Sequence, residues 1–172
     1  MTGGWSGNIK LWDGSSPALD ILSTKNMAHE DRIMGVAIHD DFDNNSDHCF
    51  VASASIDFMG KLWKIQKTDD KYTMEEAAVL KGHQARLCKV AFHPSGRFVG
   101  TTSFDHTFRF WDIESGGKEL LLQDGHWKEV YGIGFHPDGS LCCTSDFGSV
   151  VQLWDLRTGK SAFRLLVSDD TF

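Results

Sequence analysis

An all-β fold made of repeated four-stranded units is what this sequence predicts, and three observations carry the prediction. Gly82-His83 and Gly125-His126 each stand before a Trp-Asp pair, Trp111-Asp112 and Trp154-Asp155, with 28 residues from His to Trp in both cases. The period is 43 residues on either marker, within the roughly 40–45 of a β-propeller blade. Between the markers lie short runs that alternate apolar and polar side chains, the period-2 signature of strands. Finally, the turn His93-Pro94-Ser95-Gly96 recurs as His136-Pro137-Asp138-Gly139 at the same place in the next unit.

Taken in order, residues 1–27 are predicted to be the end of a blade and a linking strand, because Trp5 to Asp13 ends on Leu-Trp-Asp like the later units. Residues 28–80 form a looser unit, opened by Ala28-His29 and closed by Leu62-Trp63, 34 residues from His to Trp. The six extra residues fall in the polar string Asp40 to Asp47, so an extended loop over 40–49 is expected. Residues 81–123 form the next blade. Its expected strands are Val90 running into the Pro-x-Gly turn, Phe98 to Thr102, Thr107 to Trp111 and Glu119 to Leu122. Residues 124–172 repeat them as Ile133 onward, Leu141 to Thr144, Val150 to Trp154 and Ala162 to Leu166. Four short strands with tight turns make one blade.

The chain has 172 residues, 41% of them hydrophobic, enough for a core. Its formal net charge of −7 lacks the dense basic surface of a protein that grips nucleic acid through phosphates. The four cysteines show no C-x-x-C spacing, which argues against a zinc ribbon and suits a reducing, intracellular compartment. Cys142 and Cys143 are adjacent and must point to opposite faces of a strand, so at least one is expected in the core. No apolar leader or membrane-length run is visible, and no membrane partner is expected. Phosphate-binding, zinc-protease and nucleophile-elbow motifs are missing, so no cofactor and no metal are expected. His39, His93 and His136 share one position of the repeat and read as turn residues, not as a converging metal site.

The paired Gly-His and Trp-Asp markers resemble the WD-repeat family over almost the whole chain. The resemblance implies an all-β WD-repeat β-propeller, here partial, with about three and a half four-stranded blades and an incomplete ring. It also implies a buried hydrogen-bond chain of His, Ser or Thr, Asp and Trp. His83, Ser103, Asp105 and Trp111 match those positions, as do His29, Ser55, Asp57 and Trp63. His126 and Trp154 match in the last unit, but Gly148 stands where Asp belongs and Asp146 comes two residues early, so an incomplete network is expected there. Ser6 occupies the Asp position of the first unit. A Ser/His/Asp catalytic triad is a poor alternative, because the set recurs in two blades and includes a packing Trp. The protein is expected to be a scaffold and not an enzyme.

Finer details resemble one branch of the family. Trp5-Ser6-Gly7, the 40–49 loop, the run His93 to Thr102 and Trp154-Asp155-Leu156-Arg157-Thr158-Gly159 follow in the order found in WD-repeat subunits of the U4/U6 small nuclear ribonucleoprotein. That resemblance implies pre-mRNA splicing, the nucleus, and protein partners in the U4/U6 and U4/U6·U5 particles, with U4 and U6 snRNA reached indirectly. Two other readings stay open: a generic WD-repeat adaptor, and a substrate receptor of a cullin ubiquitin ligase, for which Trp154 to Arg157 matches the end of the docking box but Gly148 does not. Partner contacts are expected on the rim that bears the His and Asp markers, at Arg32, Arg86, Phe104, His106, Trp127 and Lys128. Trp127 could equally pack under its neighbouring blade, and Phe104 could be a partly buried turn residue. An open ring exposes sheet edges, so additional blades or a partner that completes the ring are expected, and aggregation or oligomerisation of this stretch on its own.

Overall fold

The computed structural model describes residues 1–39, 48–68 and 71–167, and every element among them is a β-strand. The strands form four antiparallel sheets, each running along the chain by simple hairpins. The first has three strands, β1 (Thr2–Gly3), β2 (Ile9–Trp12) and β3 (Ile21–Lys25). The second has β4 (Ile33–Ile38), β5 (His48–Ser55), β6 (Gly60–Thr68) and β7 (Lys71–Leu80). The third has β8 (Leu87–Phe92), β9 (Phe98–Ser103), β10 (Phe108–Asp112) and β11 (Lys118–Gln123). The fourth has β12 (Val130–Phe135), β13 (Leu141–Asp146), β14 (Val150–Asp155) and β15 (Lys160–Leu166). These are the blades of an open propeller.

Two details differ from the sequence reading. His48 and Cys49 belong to β5, so the expected loop over 40–49 ends sooner; residues 40–47 lie outside the described residues. Strands β8 and β12 begin three residues before Val90 and Ile133. The register shifts between Leu87 and Lys89 and between Val130 and Gly132, and again between Ile33 and Gly35 in β4. Such a bulge interrupts the alternation that marks a strand in sequence, which hides the strand's first residues.

A second bulge recurs at the marker tryptophan. The outer-strand register slips between Leu11 and Trp12, Leu62 and Trp63, Phe110 and Trp111, and Leu153 and Trp154. The core lies between successive sheets. Ile9 and Leu11 of the first sheet pack with Ile33, Val51 and Trp63 of the second. Ala52, Ala54, Leu62 and Leu80 of the second pack with Leu87, Val90, Val99 and Trp111 of the third. Phe108 of the third packs with Cys142 and Trp154 of the fourth, the two rings meeting edge-on at 5.2 Å. Each joint thus seats a tryptophan from the following sheet on apolar side chains of the preceding one. Among the described residues, no core cluster joins the fourth sheet to the first, and the ring is open.

Candidate functional site

The markers meet at one end of each sheet. The connection from the outer strand of one sheet to the inner strand of the next carries His29, His83 or His126. Each ring inserts beside the hairpin formed by the two middle strands. His29 Nδ1 lies 2.8 Å from Asp57 Oδ2 and its Nε2 lies 2.7 Å from Ser53 Oγ, which also accepts the Trp63 indole N–H at 2.8 Å. His83 bridges Asp105 at 2.8 Å and Thr101 Oγ1 at 2.9 Å, and Trp111 donates to Thr101 at 2.8 Å. His126 bridges Asp146 and Thr144, both at 2.7 Å, and Trp154 donates to Thr144 at 2.7 Å.

With the carboxylate ionised, Nδ1 must carry the ring proton, so Nε2 accepts from the hydroxyl, which accepts from the indole. The direction is therefore Trp to Ser or Thr to His to Asp. Burial by itself would raise the Asp57 and Asp105 carboxyls. The hydrogen bonds from His29 and His83, joined by the Thr107 hydroxyl at Asp105 and by backbone N–H groups, outweigh it and hold both below the usual carboxylate range.

The hydroxyl is not the one the sequence suggested. Ser55 and Ser103 stand at the end of the strand, two residues before the Asp, and bond elsewhere. Ser55 Oγ reaches the carbonyls of Asp31 and Arg32, and Ser103 Oγ those of Ala85 and Arg86, while both accept the Asp N–H. The two ring nitrogens point to opposite sides of the imidazole. The hydroxyl partner must lie across the ring from the carboxylate, and Ser53, Thr101 and Thr144, two residues earlier on the strand, satisfy that.

The network around His126 is complete, contrary to expectation. Asp146 sits at the repeat position of Ser55 and Ser103, not at that of Asp57 and Asp105, which Gly148 occupies. From there it reaches His126 and also accepts the N–H groups of Gly148 and Val150, at 2.8 and 3.1 Å. The turn keeps its shape: Ser149 has φ 61°, matching Phe58 at 71° and His106 at 69°. A Cβ on Gly148 would lie 2.9 Å from Lys128 Cγ and 3.2 Å from Asp146 Oδ1, so the glycine makes room for the displaced carboxylate. Gly125 has a similar reason to precede its His, since a Cβ there would meet Trp154 Cη2 at 2.7 Å. In the first sheet, Trp12 donates to Thr2 Oγ1 at 2.9 Å, the same indole–hydroxyl pair ten residues apart.

These side chains cannot present a nucleophile. The His side chains are fully buried, and each bonded hydroxyl is occupied by both an indole and an imidazole. The turn histidines likewise act locally. His93 packs edge-on to Phe98, Phe110 and Phe135, and its Nε2 donates to Gly139 O of the next sheet at 2.9 Å. His136 pairs with Asp138 at 2.9 Å. Cys142 is buried and Cys143 half-buried; burial pushes both thiols up.

The expected rim residues lie at the end where the His–Asp networks sit. Arg32, Arg86, His106 and Lys128 are exposed, and Phe104 is half-buried. Trp127 is 77% exposed and does not pack under a neighbouring sheet. The Arg86 guanidinium stacks 3.8 Å above the Phe104 ring, and Phe104 meets Phe147 edge-on at 5.6 Å. Phe147 in turn touches Tyr131 at 5.2 Å. Arg32 stacks 4.4 Å over Trp5, a residue 79% exposed. Sequence reasoning missed Trp5, Phe147 and Tyr131 as rim residues. A signal existed for the first two: Trp5, Phe104 and Phe147 each stand seven residues before the marker tryptophan.

Four sheets joined by a recurring His–Asp–hydroxyl–Trp network define a WD-repeat β-propeller. The family model described as "WD domain, G-beta repeat" matches residues 74–112 and 117–155, and the chain is a WD-repeat protein. It is 34% identical over 123 residues to the protein named U4/U6 small nuclear ribonucleoprotein PRP4 of Saccharomyces cerevisiae, covering 72% of this chain and 24% of that one. It is 30% identical over 106 residues to nuclear distribution protein PAC1 of Yarrowia lipolytica (57% of this chain, 22% of that one). With human coronin-7 it shares 33% over 76 residues (42% and 8%). The chain spans no more than about a quarter of the length of these relatives.

Proposed function

We propose that this chain is a protein-binding scaffold of the splicing machinery, working in the nucleus within the U4/U6 and U4/U6·U5 particles. The observation that carries this reading is the match to a U4/U6 ribonucleoprotein subunit over 72% of the chain. The order of the Trp5 segment, the long second unit and the Trp154 to Gly159 run supports it. The net charge of −7 favours protein neighbours, with U4 and U6 RNA reached through them. The rim offers the contact surface. Rigid networks hold its turns, and Arg32, Arg86, Phe104, Trp127 and Lys128 project from them as aromatic and cationic anchors of the kind that dominate binding energy.

A tagged chain is incubated with nuclear extract, and the bound fraction is probed for U4 and U6 RNA and for protein. Recovery of both RNAs with particle proteins, lost in Trp127→Ala, is the expected result. Recovery of other protein complexes without either RNA overturns the splicing reading. It favours the second one, a general adaptor, which the similarities to coronin-7 and to a nuclear distribution protein support.

A further inference from the structure

A groove opens between the third and fourth sheets, at the end away from the His–Asp networks. Its volume is about 560 Å³, the size of a ligand cleft. One wall is apolar and belongs to the third sheet: Phe98 and Phe110, whose rings lie 5.1 Å apart, with Leu121 beside them. The other wall is the turn at 156–159 in the fourth sheet. Two hydrogen bonds across the joint fix the width. His93 Nε2 donates to Gly139 O, and the Gln123 side-chain amide donates to Gly159 O. A groove held open in this way needs little ordering when it binds. It lies inside a joint that Phe108, Cys142 and Trp154 already hold together.

The preceding joint shows what sets this one apart. There Leu62 and Ala78 stand at the positions of Phe110 and Leu121, and Ile113 at that of Leu156. Ile113 is 9% exposed and belongs to the core, so that joint is filled, whereas Leu156 is only half-buried. The charges differ as well. In the third sheet Arg97 pairs with Asp112 at 3.0 Å and with Glu114 at 3.4 Å, so the cation and the carboxylates satisfy one another. In the fourth sheet Ser140 stands at the position of Arg97 and Arg157 at that of Glu114. The cation has moved onto the turn. Its side chain is 83% exposed, and among the described residues its one ion-pair contact is Asp155 Oδ2 at 3.6 Å, too long for a hydrogen bond. Asp155 Oδ1 is taken up by the backbone N–H groups of Arg157 and Thr158, at 2.9 and 3.2 Å. The guanidinium fork is left open to an outside acceptor.

We propose that this groove binds an extended peptide segment of a partner protein. An apolar side chain of the peptide lies against Phe98, Phe110 and Leu121, and a neighbouring Asp or Glu carboxylate pairs with Arg157. The walls supply apolar burial, and the arginine supplies a charge-assisted, two-pronged hydrogen bond that fixes the register. Arg157 lines the groove and no Asp or Glu does, so the local charge selects an anion. The net charge of −7 acts weakly there, because exposed charges more than about 8 Å away are screened at physiological salt. A nucleic-acid strand fits less well, since tracking its phosphates takes a row of cations and the lining offers a single arginine. The groove is separate from the rim proposed for splicing contacts, and the two stand or fall independently.

The test immobilises the 172-residue chain and pans it against a displayed library of random short peptides. Enriched peptides are expected to carry an apolar residue within two positions of an Asp or Glu. The commonest is synthesised with a fluorescent label, and its affinity is read by anisotropy. Arg157→Glu is expected to weaken binding at least about tenfold. Arg157→Lys, which keeps the charge and loses the fork, is expected to weaken it less. Lys81→Glu makes the same change of charge at an exposed site near the other end and is expected to leave binding unchanged. Far-UV circular dichroism matching the wild type checks that each variant is folded. No enrichment, enriched peptides that lack a carboxylate, equal affinity in Arg157→Glu, or an equal loss in Lys81→Glu overturns the proposal. Binding of an oligouridylate that is lost in Arg157→Glu also overturns it, in favour of RNA.

Discussion

The third and fourth sheets carry nearly the same sequence pattern and live in different surroundings. In β9 and β10 the residues on both faces are buried, apart from half-buried Phe98 at one end, because sheets stand on either side. In β13 and β14 burial strictly alternates, because only one face is covered. Yet the polar network is complete in both, with distances that agree within 0.2 Å (2.8, 2.9 and 2.8 Å against 2.7, 2.7 and 2.7 Å). The comparison separates two kinds of order. The network needs one hairpin and the loop that enters it, so a sheet at the open end keeps it. The apolar core needs the next sheet, so the same strands lose half of theirs.

The sharpest way to break that comparison uses one residue type at one repeat position. Leu62, fully buried between the second and third sheets, and Leu153, on the open face, occupy equivalent places. Leu62→Ala is expected to cost about 2–5 kcal/mol of unfolding free energy, from lost transfer and a cavity. Leu153→Ala is expected to cost less than about 1 kcal/mol, because little water is displaced from that site to begin with. Denaturant titration measures both, and equal losses would contradict the open-face picture.

The network is the next target. Asp146→Ala leaves the buried His126 Nδ1–H and two turn N–H groups without their acceptor, and is expected to cost about 2–3 kcal/mol. The same substitution at Asp105 is expected to cost somewhat less, because the Asp105 carboxylate is 8% exposed and Asp146 only 1%, so water replaces the lost acceptor more readily. A smaller effect tests why the fourth sheet departs from the family pattern. Gly148→Asp restores the usual residue, but it is expected to destabilise by about 1–2 kcal/mol. Its Cβ crowds Lys128, and its carboxylate approaches Asp146.

Acid should reveal the second and third sheets' networks through a gentler slope. Asp57 and Asp105 are held below the ordinary carboxylate range in the folded protein. Their contribution is therefore complete above the unfolded value of about 4 and is lost as pH falls below it toward their folded values. Stability measured downward from pH 5 is expected to fall less steeply in Asp105→Asn than in the wild type. An unchanged slope would mean that this carboxylate does not couple folding to protons.

Much of this was legible before folding. The His-to-Trp spacing and the 43-residue period pointed to repeated all-β units, since a repeated unit must bury the same positions each time. His83, Asp105 and Trp111 were found in sequence because their spacing is local to one hairpin and its entry loop. The partner hydroxyl was not. Ser53 and Ser55 both lie on one face of one strand, and only the direction in which the imidazole points selects the deeper one. Asp146 was misjudged for a related reason: counting back from Trp154 assumes a fixed turn position, whereas a carboxylate on the strand end reaches the same nitrogen. The early starts of β8 and β12 were hidden by bulges, and Phe147 and Tyr131 became neighbours only through pairing across the sheet.

Pattern alone thus determined the class of fold and placed the residues of the polar network to within two positions, because each depends on periodicity and short loops. Which hydroxyl closes the network, which rim side chains touch, and which apolar faces remain uncovered were decided by tertiary structure. Those outcomes depend on ring orientation and on the presence or absence of an adjoining sheet, and neither is written at any single position of the chain.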